Sequence, residues 1–490
     1  MEDLKLRKKN LVMFPLGKIG SDMEYYLFTS CIMTFVLFTR SLTAAQFAAI
    51  TAIVVAARVF DALNDPIMGN IIERTRTRFG KFKPWLVIGI LSTSIVVYLA
   101  FNTDLQGWSF VWFFGVIYFL YSITFTMHDI SYWGMVPALS SDANARNQFT
   151  ARATLCAGIG STLASVLIPM FTVGEKAIGG STTTAYGIVA LIVCILAPAF
   201  LCFTIFGVRE KREYTDAPPV SLKKVWKTIT GNDQLMWMSL IFLLQQIGNG
   251  LIIGGLGSTY IYFDFGYDGG LFSLFSIVGM SVTALLMIFY PAISRRLPRK
   301  KLLGILAVIA AVGYAIMLLA GLLLPSSMLK FWVVVIGYML SNFGQYGFHL
   351  AMMISIINTV EYNEYISGER DEAIIASLRP FITKLASALI ILITNMSYII
   401  FGVTKYTGSI SELENQCARN LITEADKISQ IDSVIKGIAP GQTLALLLCM
   451  AIIPCLLMLT SYFLYKKHYK LDEDEYARIC AELEARKGQA

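Results

Sequence analysis

Charge is what this sequence has least of. Only 15% of its 490 residues are charged, against about a quarter in an ordinary soluble domain, and the mean hydropathy is +0.62. A water-soluble chain of this length needs more polar surface than that to cover its core. Histidine is scarcer still: there are three, scattered along the chain, and none of the eight cysteines forms a C-x-x-C pair. A zinc site is therefore not expected. Cys31, Cys156, Cys194, Cys202, Cys449 and Cys455 lie in apolar runs and read as small hydrophobes, while Cys417 and Cys480 sit in polar segments. Disorder, a collagen repeat and a secreted disulfide scaffold are excluded. No signal-peptide cleavage pattern follows the opening Met-Glu-Asp-Leu-Lys. What is abundant is apolar: 56% of the residues are hydrophobic, which makes the class an all-α integral membrane protein with many spans.

A membrane-spanning helix needs about 20 mostly apolar residues. About twelve such runs are present, centred on 22–42, 45–70, 84–102, 108–137, 149–173, 186–207, 235–262, 270–293, 301–324, 329–359, 375–402 and 439–465. The scarce charge is unevenly signed, 40 Lys plus Arg against 33 Asp plus Glu, a net of +7. The positive-inside rule explains this surplus without any nucleic-acid partner. Basic clusters at 73–83, at Arg209 to Lys227, at Arg295 to Lys301 and at Lys466 to Lys470 fall on one side of the membrane if the span number is even. That side is expected to be cytoplasmic, with both termini there, in the cell inner (plasma) membrane. The polar stretch near 208–233 divides the chain, and basic loops recur after the second span of each half. The expected organisation is an N-terminal six-helix bundle over 1–207, a cytoplasmic middle loop over 208–234, a C-terminal six-helix bundle over 235–466 and a cytoplasmic tail over 467–490. This is the two-bundle arrangement of the major facilitator fold. A longer loop of mixed charge, 403–438, is expected on the opposite side.

The strongest chemical signal is carboxylates inside apolar spans. In the second run Asp61 and Asp65 are four residues apart and share a helix face, with Asn64 able to join them. A carboxylate at bilayer depth costs about 2.5–3.5 kcal/mol on insertion scales. Two close ones also repel, so protonation or a cation must neutralise at least one. Pro66 removes the helix bond to Ala62 and frees a carbonyl near the pair. The competing reading is a solvated cytoplasmic helix end. The fourth run supplies Thr126, Asp129 and Trp133 on one stripe. A carboxylate beside an aromatic plane holds sugars, the acid accepting from hydroxyls and the ring stacking on C–H faces; the alternative for Trp133 is an interfacial belt. His128 points off that stripe and reads as a packing residue. Asp22 and Glu24 in the first run read either as binding carboxylates or as solvated ones. Lys384 stands alone in an apolar run and pairs with an acid or lines a cavity, or snorkels as Arg379 does. Arg152, early in the fifth run, is open between the same readings.

These residues resemble one family. Asp61-Ala62-Leu63-Asn64-Asp65-Pro66-Ile67-Met68-Gly69-Asn70, then Thr75 to Trp85, then Asp129 to Pro137, then Glu361-Tyr362-Asn363-Glu364-Tyr365 with Gly368-Glu369-Arg370 and Lys384, follow the order and spacing of the glycoside–pentoside–hexuronide:cation symporters of the major facilitator superfamily. The resemblance implies uptake of a sugar or glycoside with a cation by alternating access. It carries the cation-holding positions to Asp61, Asn64, Asp65 and Thr126, all bearing oxygen, so that Na+ fits, with Li+ and H+ as alternatives. It carries sugar-site positions to Asp22, Asp129 and Trp133, and the eleventh-helix lysine to Lys384. The family's arginine in the fifth helix has no gap-free match, and Arg152 is the nearest candidate. Thr29 stands where relatives have a tyrosine, and Arg379 also departs from the pattern.

No catalytic arrangement, phosphate loop or cofactor motif is present, so an enzyme is not expected and the coupling cation is the only inorganic partner. The expected partners are a small sugar or glycoside, a monovalent cation and the lipid bilayer, the protein being a monomer. Arg295 and Arg296 with Glu361 and Glu364 are read as ion pairs of a cytoplasmic gate, or as topology alone. Two other functions stay open: proton symport of an acidic sugar such as a glucuronide, motivated by Arg379, and a lipid or lysolipid carrier on the same fold.

Overall fold

The computed structural model describes residues 2–140, 143–208, 222–294 and 296–489. The described residues form helices and their connections, with no strand. In chain order the helices are α1 (Glu2–Tyr26), α2 (Ile32–Thr39), α3 (Ala44–Arg74), α4 (Lys83–Phe101), α5 (Gly107–Leu139), α6 (Ala143–Thr172), α7 (Thr182–Gly207), α8 (Leu222–Gly231) and α9 (Asp233–Gly250). They continue as α10 (Gly257–Phe265), α11 (Gly269–Ser294), α12 (Arg299–Leu323), α13 (Met328–Ser367), α14 (Glu372–Ile400), α15 (Val403–Ala418), α16 (Glu424–Lys436), α17 (Pro440–His468) and α18 (Glu473–Gln489). π turns at Leu27–Cys31 and Ile252–Leu256 join α1 to α2 and α9 to α10. The expected first and seventh spans therefore carry the same irregularity, the second with Gly255 at φ 131°. Single π turns inside helices recur at functional sites.

Ten helices among the described residues are long and apolar enough to cross a membrane. Their surface is apolar too: Trp112 (75% exposed), Leu323 (74%) and Phe206 (81%) stand outward, where lipid rather than water is the matching solvent. Chain ends of the helices are set by local chemistry. Thr43 and Gln46 form a reciprocal capping box at the start of α3. Gly368, at φ 75°, ends α13 by donating its N–H to Glu364.

Two compact units are present: Met1–Ala217 with Ile261–Leu274 and Tyr398–Ile438, and Pro218–Tyr260 with Phe275–Ser397 and Ala439–Ala490. In the first, α1 packs on α6 and α7, α4 on α5 and α7, and α3 on α5. Glycine makes the closest approach possible. A Cβ on Gly160 of α6 would lie 2.1 Å from the Ile19 carbonyl oxygen of α1, and one on Gly89 of α4 would lie 2.6 Å from the His128 amide of α5. In the second unit α12 packs on α13 and α17, and α9 on the same two helices.

Two stretches differ from the sequence expectation. The first helix begins at Glu2, well ahead of the apolar run at 22–42, because its early turns are polar and invisible to a hydropathy count. The segment 403–438 is the helix pair α15–α16. A buried ion pair between Lys427 and Glu414 at 3.4 Å joins the two helices, and both residues also bond to the 180–182 turn. Glu414 also accepts from Thr182, and Lys427 also donates to the Gly180 carbonyl at 2.7 Å.

Candidate transport site

Four residues on one stripe of α5 organise the polar interior of the first unit. Ser122, Thr126, Asp129 and Trp133 follow one another at spacings of four, three and four, so they project from one helix face. Each of the first three meets a charged side chain of a neighbouring helix. The Ser122 hydroxyl donates to Asp61. The Thr126 hydroxyl donates to Asp65 at 3.2 Å. Asp129 accepts from the Lys18 ammonium of α1 at 2.7 Å. Lys18 also pairs with Asp22, one turn further along α1, at 3.1 Å, and lies 5.6 Å from the Trp133 ring centre and 5.5 Å from that of Tyr132.

The register of α1 against α5 is held from below this cluster. Tyr132 donates its hydroxyl to the Phe14 carbonyl at 2.8 Å and stacks on the Phe14 ring at 4.4 Å. Thr204 of α7 donates to the same carbonyl at 2.9 Å. These bonds put Lys18, one turn on, opposite Asp129.

The carboxylate pair on α3 is less symmetric than its spacing implies. Asp61 is buried and has its own counter-ion, Arg58, at 3.6 Å on the same helix. Part of the charge a cation would neutralise is thus already balanced. Asp65 is half-buried. Asn64 between them is buried, with its amide nitrogen unpartnered. α3 runs on through Pro66 to Arg74, so both acids lie inside the helix, not at its solvated end.

The remaining candidates fall elsewhere. Arg152 donates to the Leu11 carbonyl at 3.1 Å, about two helical turns along α1 from Lys18. Glu24 is fully buried, with neither carboxyl oxygen in a hydrogen bond. His128 is buried, edge-on to Phe125 and 3.5 Å from the Thr93 hydroxyl, as a packing histidine would be. Lys384 is half-buried on α14 in the second unit, and Arg379 on the same helix is exposed. Of the expected gate residues, Arg295 lies outside the described residues and Arg296 is exposed. Glu361 and Glu364 pair instead with Arg370, at 3.0 and 2.9 Å. Arg299 and Lys300 pair with Glu473 and Asp472, and Lys224 of α8 pairs with Glu369 and Asp371. Burial raises the Asp371 carboxyl, but Lys224 and Thr228 outweigh it and hold the group below the usual carboxylate range.

Three residues of the site were absent from the sequence reading: Lys18, Arg58 and Ser122. Their signals were readable. Lys18 precedes Asp22 by four and Arg58 precedes Asp61 by three, the spacings of intrahelical ion pairs. Ser122 extends the Thr126–Asp129–Trp133 stripe by one turn.

The MFS/sugar transport protein family matches residues 13–473. The raffinose carrier protein of Pediococcus pentosaceus is 28% identical over 96% of this chain and 71% of its own length. The lactose permease of Leuconostoc lactis is 28% identical over 77% of this chain, which spans 60% of that relative's length. A bacterial homologue of the human lysosomal transporter Spinster has the same fold, with a TM-score of 0.63 at 14% identity over 95% of this chain and 99% of that one. The ten apolar helices make this a multi-pass membrane protein, and the motifs on α3, α5 and α13 narrow its kind. The chain belongs to the MFS/sugar transport protein family, as a member of its glycoside–pentoside–hexuronide:cation symporters.

Proposed function

We propose that this protein carries an uncharged glycoside into the cell together with a monovalent cation, Na+, by alternating access. It works as a monomer in the plasma membrane with both termini cytoplasmic. The observation that carries the reading is the α5 stripe. Thr126, bonded to the cation-side carboxylate Asp65, and Asp129, bonded within the sugar-side cluster, are one helical turn apart, a rise of about 4.5 Å. An ion drawing on Asp65 and Thr126 acts on the same turn that presents Asp129 and Trp133.

The donor set suits a hard cation. Asp61, Asp65 and Thr126 offer oxygen, and turning the unpartnered Asn64 amide adds a fourth. Arg58 already balances part of the charge on Asp61. Binding the ion orders this turn of α5, and the sugar then meets a prepared acceptor and ring. Each ligand favours the other by the same coupling free energy. Within the second unit, the ion pairs around Arg370 and Lys224 hold the cytoplasmic end together.

The acidic character of the sugar-side cluster supports a neutral substrate: Asp22 and Asp129 share Lys18, and two carboxylates at one turn disfavour a uronate. Uptake of lactose and raffinose by vesicles, with and without an imposed Na+ gradient, tests the reading. Na+-stimulated uptake of at least one is expected. Unimpaired coupling in Asp61→Cys or Asp65→Cys would sink the cation assignment, and uptake driven only by a pH gradient would replace Na+ by H+.

A further inference from the structure

Arg40 follows the last residue of α2, and it is buried, at 2% exposed. The Phe35 and Phe110 rings flank its guanidinium, with centres 4.9 and 5.0 Å away. Two of its nitrogens are engaged: Nη2 donates to the Thr103 carbonyl at 2.6 Å and Nη1 to the Thr39 carbonyl at 3.4 Å. Nε has no hydrogen-bond partner among the described residues. The acid whose charge reaches the guanidinium is Asp104, which is exposed and makes no ion pair with it. A buried cation answered only by neutral groups is costly. An arginine can cap the carbonyl end of a helix, and that accounts for the bond to Thr39. It accounts neither for Nε nor for the unbalanced charge.

Arg40 lines a cavity of about 10 Å3 together with Leu42, Phe47, Thr404, Thr407 and Gly408, room for about one water-sized particle. Leu42, Thr404 and Gly408 also line a wider, open groove of about 790 Å3 along α15, which gives an ion a way in. Lys405 and Glu412 are the charged residues of that groove. The amino ends of two helices border the cavity, since α3 begins at Ala44 and α15 at Val403, and such ends carry partial positive charge. The lining side chains offer an N–H and hydroxyls against apolar walls, with no carboxylate or amide oxygen. The Thr407 hydroxyl is turned to carbonyls of its own helix turn. A water at this place accepts from Nε but leaves the charge standing. A small anion accepts the same N–H through a stronger, charge-assisted bond and neutralises the guanidinium.

We propose that Arg40, with the first turns of α3 and α15, forms a binding site for a small monovalent inorganic anion of the size of chloride, held by Arg40 Nε and the Thr404 hydroxyl. The anion neutralises the buried guanidinium and braces α15 against the end of α2. That junction is already bonded: Asn415 donates to the Thr39 carbonyl at 2.9 Å, and the Ser41 and Ser411 hydroxyls lie 3.4 Å apart. The site is distinct from the residues assigned to sugar and Na+. Asp61 is about 25 Å along α3 from its first residue, so the proposal stands whether or not those assignments hold.

The test is thermal unfolding of the purified full chain at constant Na+, with chloride replacing gluconate in steps. The melting temperature should rise by about 2 °C or more, along the logarithmic course of a single site. Bromide should act as chloride does, and sulfate, too large for the cavity, should not. Arg40→Gln should lose the response. Gly408→Leu keeps Arg40 and fills the opening; a Cβ there meets nothing within 4 Å, so this variant folds and serves where Arg40→Gln does not. It too should lose the response, while Lys405→Met, which removes the groove's exposed cation, should keep it. Crystals grown in bromide should show an anomalous peak within hydrogen-bond distance of Arg40 Nε. No chloride response in wild type would overturn the proposal and leave Arg40 a helix cap with a water at Nε. An equal response in wild type and Gly408→Leu would overturn it as an effect of salt on the solvent. A response lost only in Lys405→Met, or a bromide peak in the outer groove alone, would overturn it by moving the anion to the surface.

Discussion

Removing Arg58 should make the protein less stable and its grip on the cation tighter. The guanidinium lies 3.6 Å from Asp61, and the two side chains are 6% and 9% exposed. Arg58→Gln strands a buried carboxylate that then has only the Ser122 hydroxyl and its other polar neighbours. Breaking a buried pair from one side costs about 3–5 kcal/mol, so the melting temperature without cation falls. The same change removes a positive charge from beside the cation site. For a cation on Asp61 or Asp65 roughly 5 Å from the guanidinium, the repulsion removed is about 3 kcal/mol at an effective dielectric of about 20. Water and side-chain relaxation recover part of that, so we expect Na+ affinity to rise about tenfold or more. The assay is thermal unfolding of purified protein across a Na+ titration. The variant should start lower and gain more from saturating Na+ than wild type, because stabilisation grows with the logarithm of ligand over Kd. Adding Asp61→Asn to Arg58→Gln should abolish the gain. Na+ affinity equal to or below wild type in a folded Arg58→Gln would refute the reasoning and assign Arg58 a purely structural part.

Three further outcomes are expected. Lys427→Met strands Glu414 (0% exposed) under α15 and α16 and should cost about 3–5 kcal/mol. The buried Cys417 should then react faster with a maleimide, and Lys427→Met with Glu414→Gln should reverse most of both effects. Gly160→Val drives a side chain into the Ile19 carbonyl; overpacking of this kind costs about 1–3 kcal/mol. Because Ile19 adjoins Lys18, sugar affinity should drop more than Na+ affinity, and equal loss of both would count against the register argument. The Asp371 carboxyl is held below its usual value by Lys224 and Thr228 against the effect of burial. A depressed folded pKa means that its stabilisation is complete above the unfolded value of about 4 and is lost as pH falls through the folded one. Asp371→Asn should flatten that acid limb in melting curves.

The membrane class, the family and the acids placed inside apolar runs were legible in the sequence, for a simple reason. A charge inside an apolar span is costly, so each one left there stands out against its background, and Asp61, Asp65, Asp129 and Lys384 did. Periodicity also placed Thr126, Asp129 and Trp133 on one stripe, since a helix converts spacing into direction. The polar early turns of α1 and the helices α15 and α16 did not announce themselves, because hydropathy records only what lipid would select. Nor did the partners. Lys18 and Arg58 could be paired with Asp22 and Asp61 along their own helices, but that Asp129 of α5 also closes on Lys18 depends on how α1 lies against α5. That register is set by the Phe14 carbonyl meeting Tyr132 and Thr204, and by the missing side chain at Gly160. Sequence alone determined which acids and which lysine stand inside apolar runs. Only the tertiary structure decided which charge neutralises which, because pairing between helices is a matter of distance, and distance between elements far apart in the chain is created by packing.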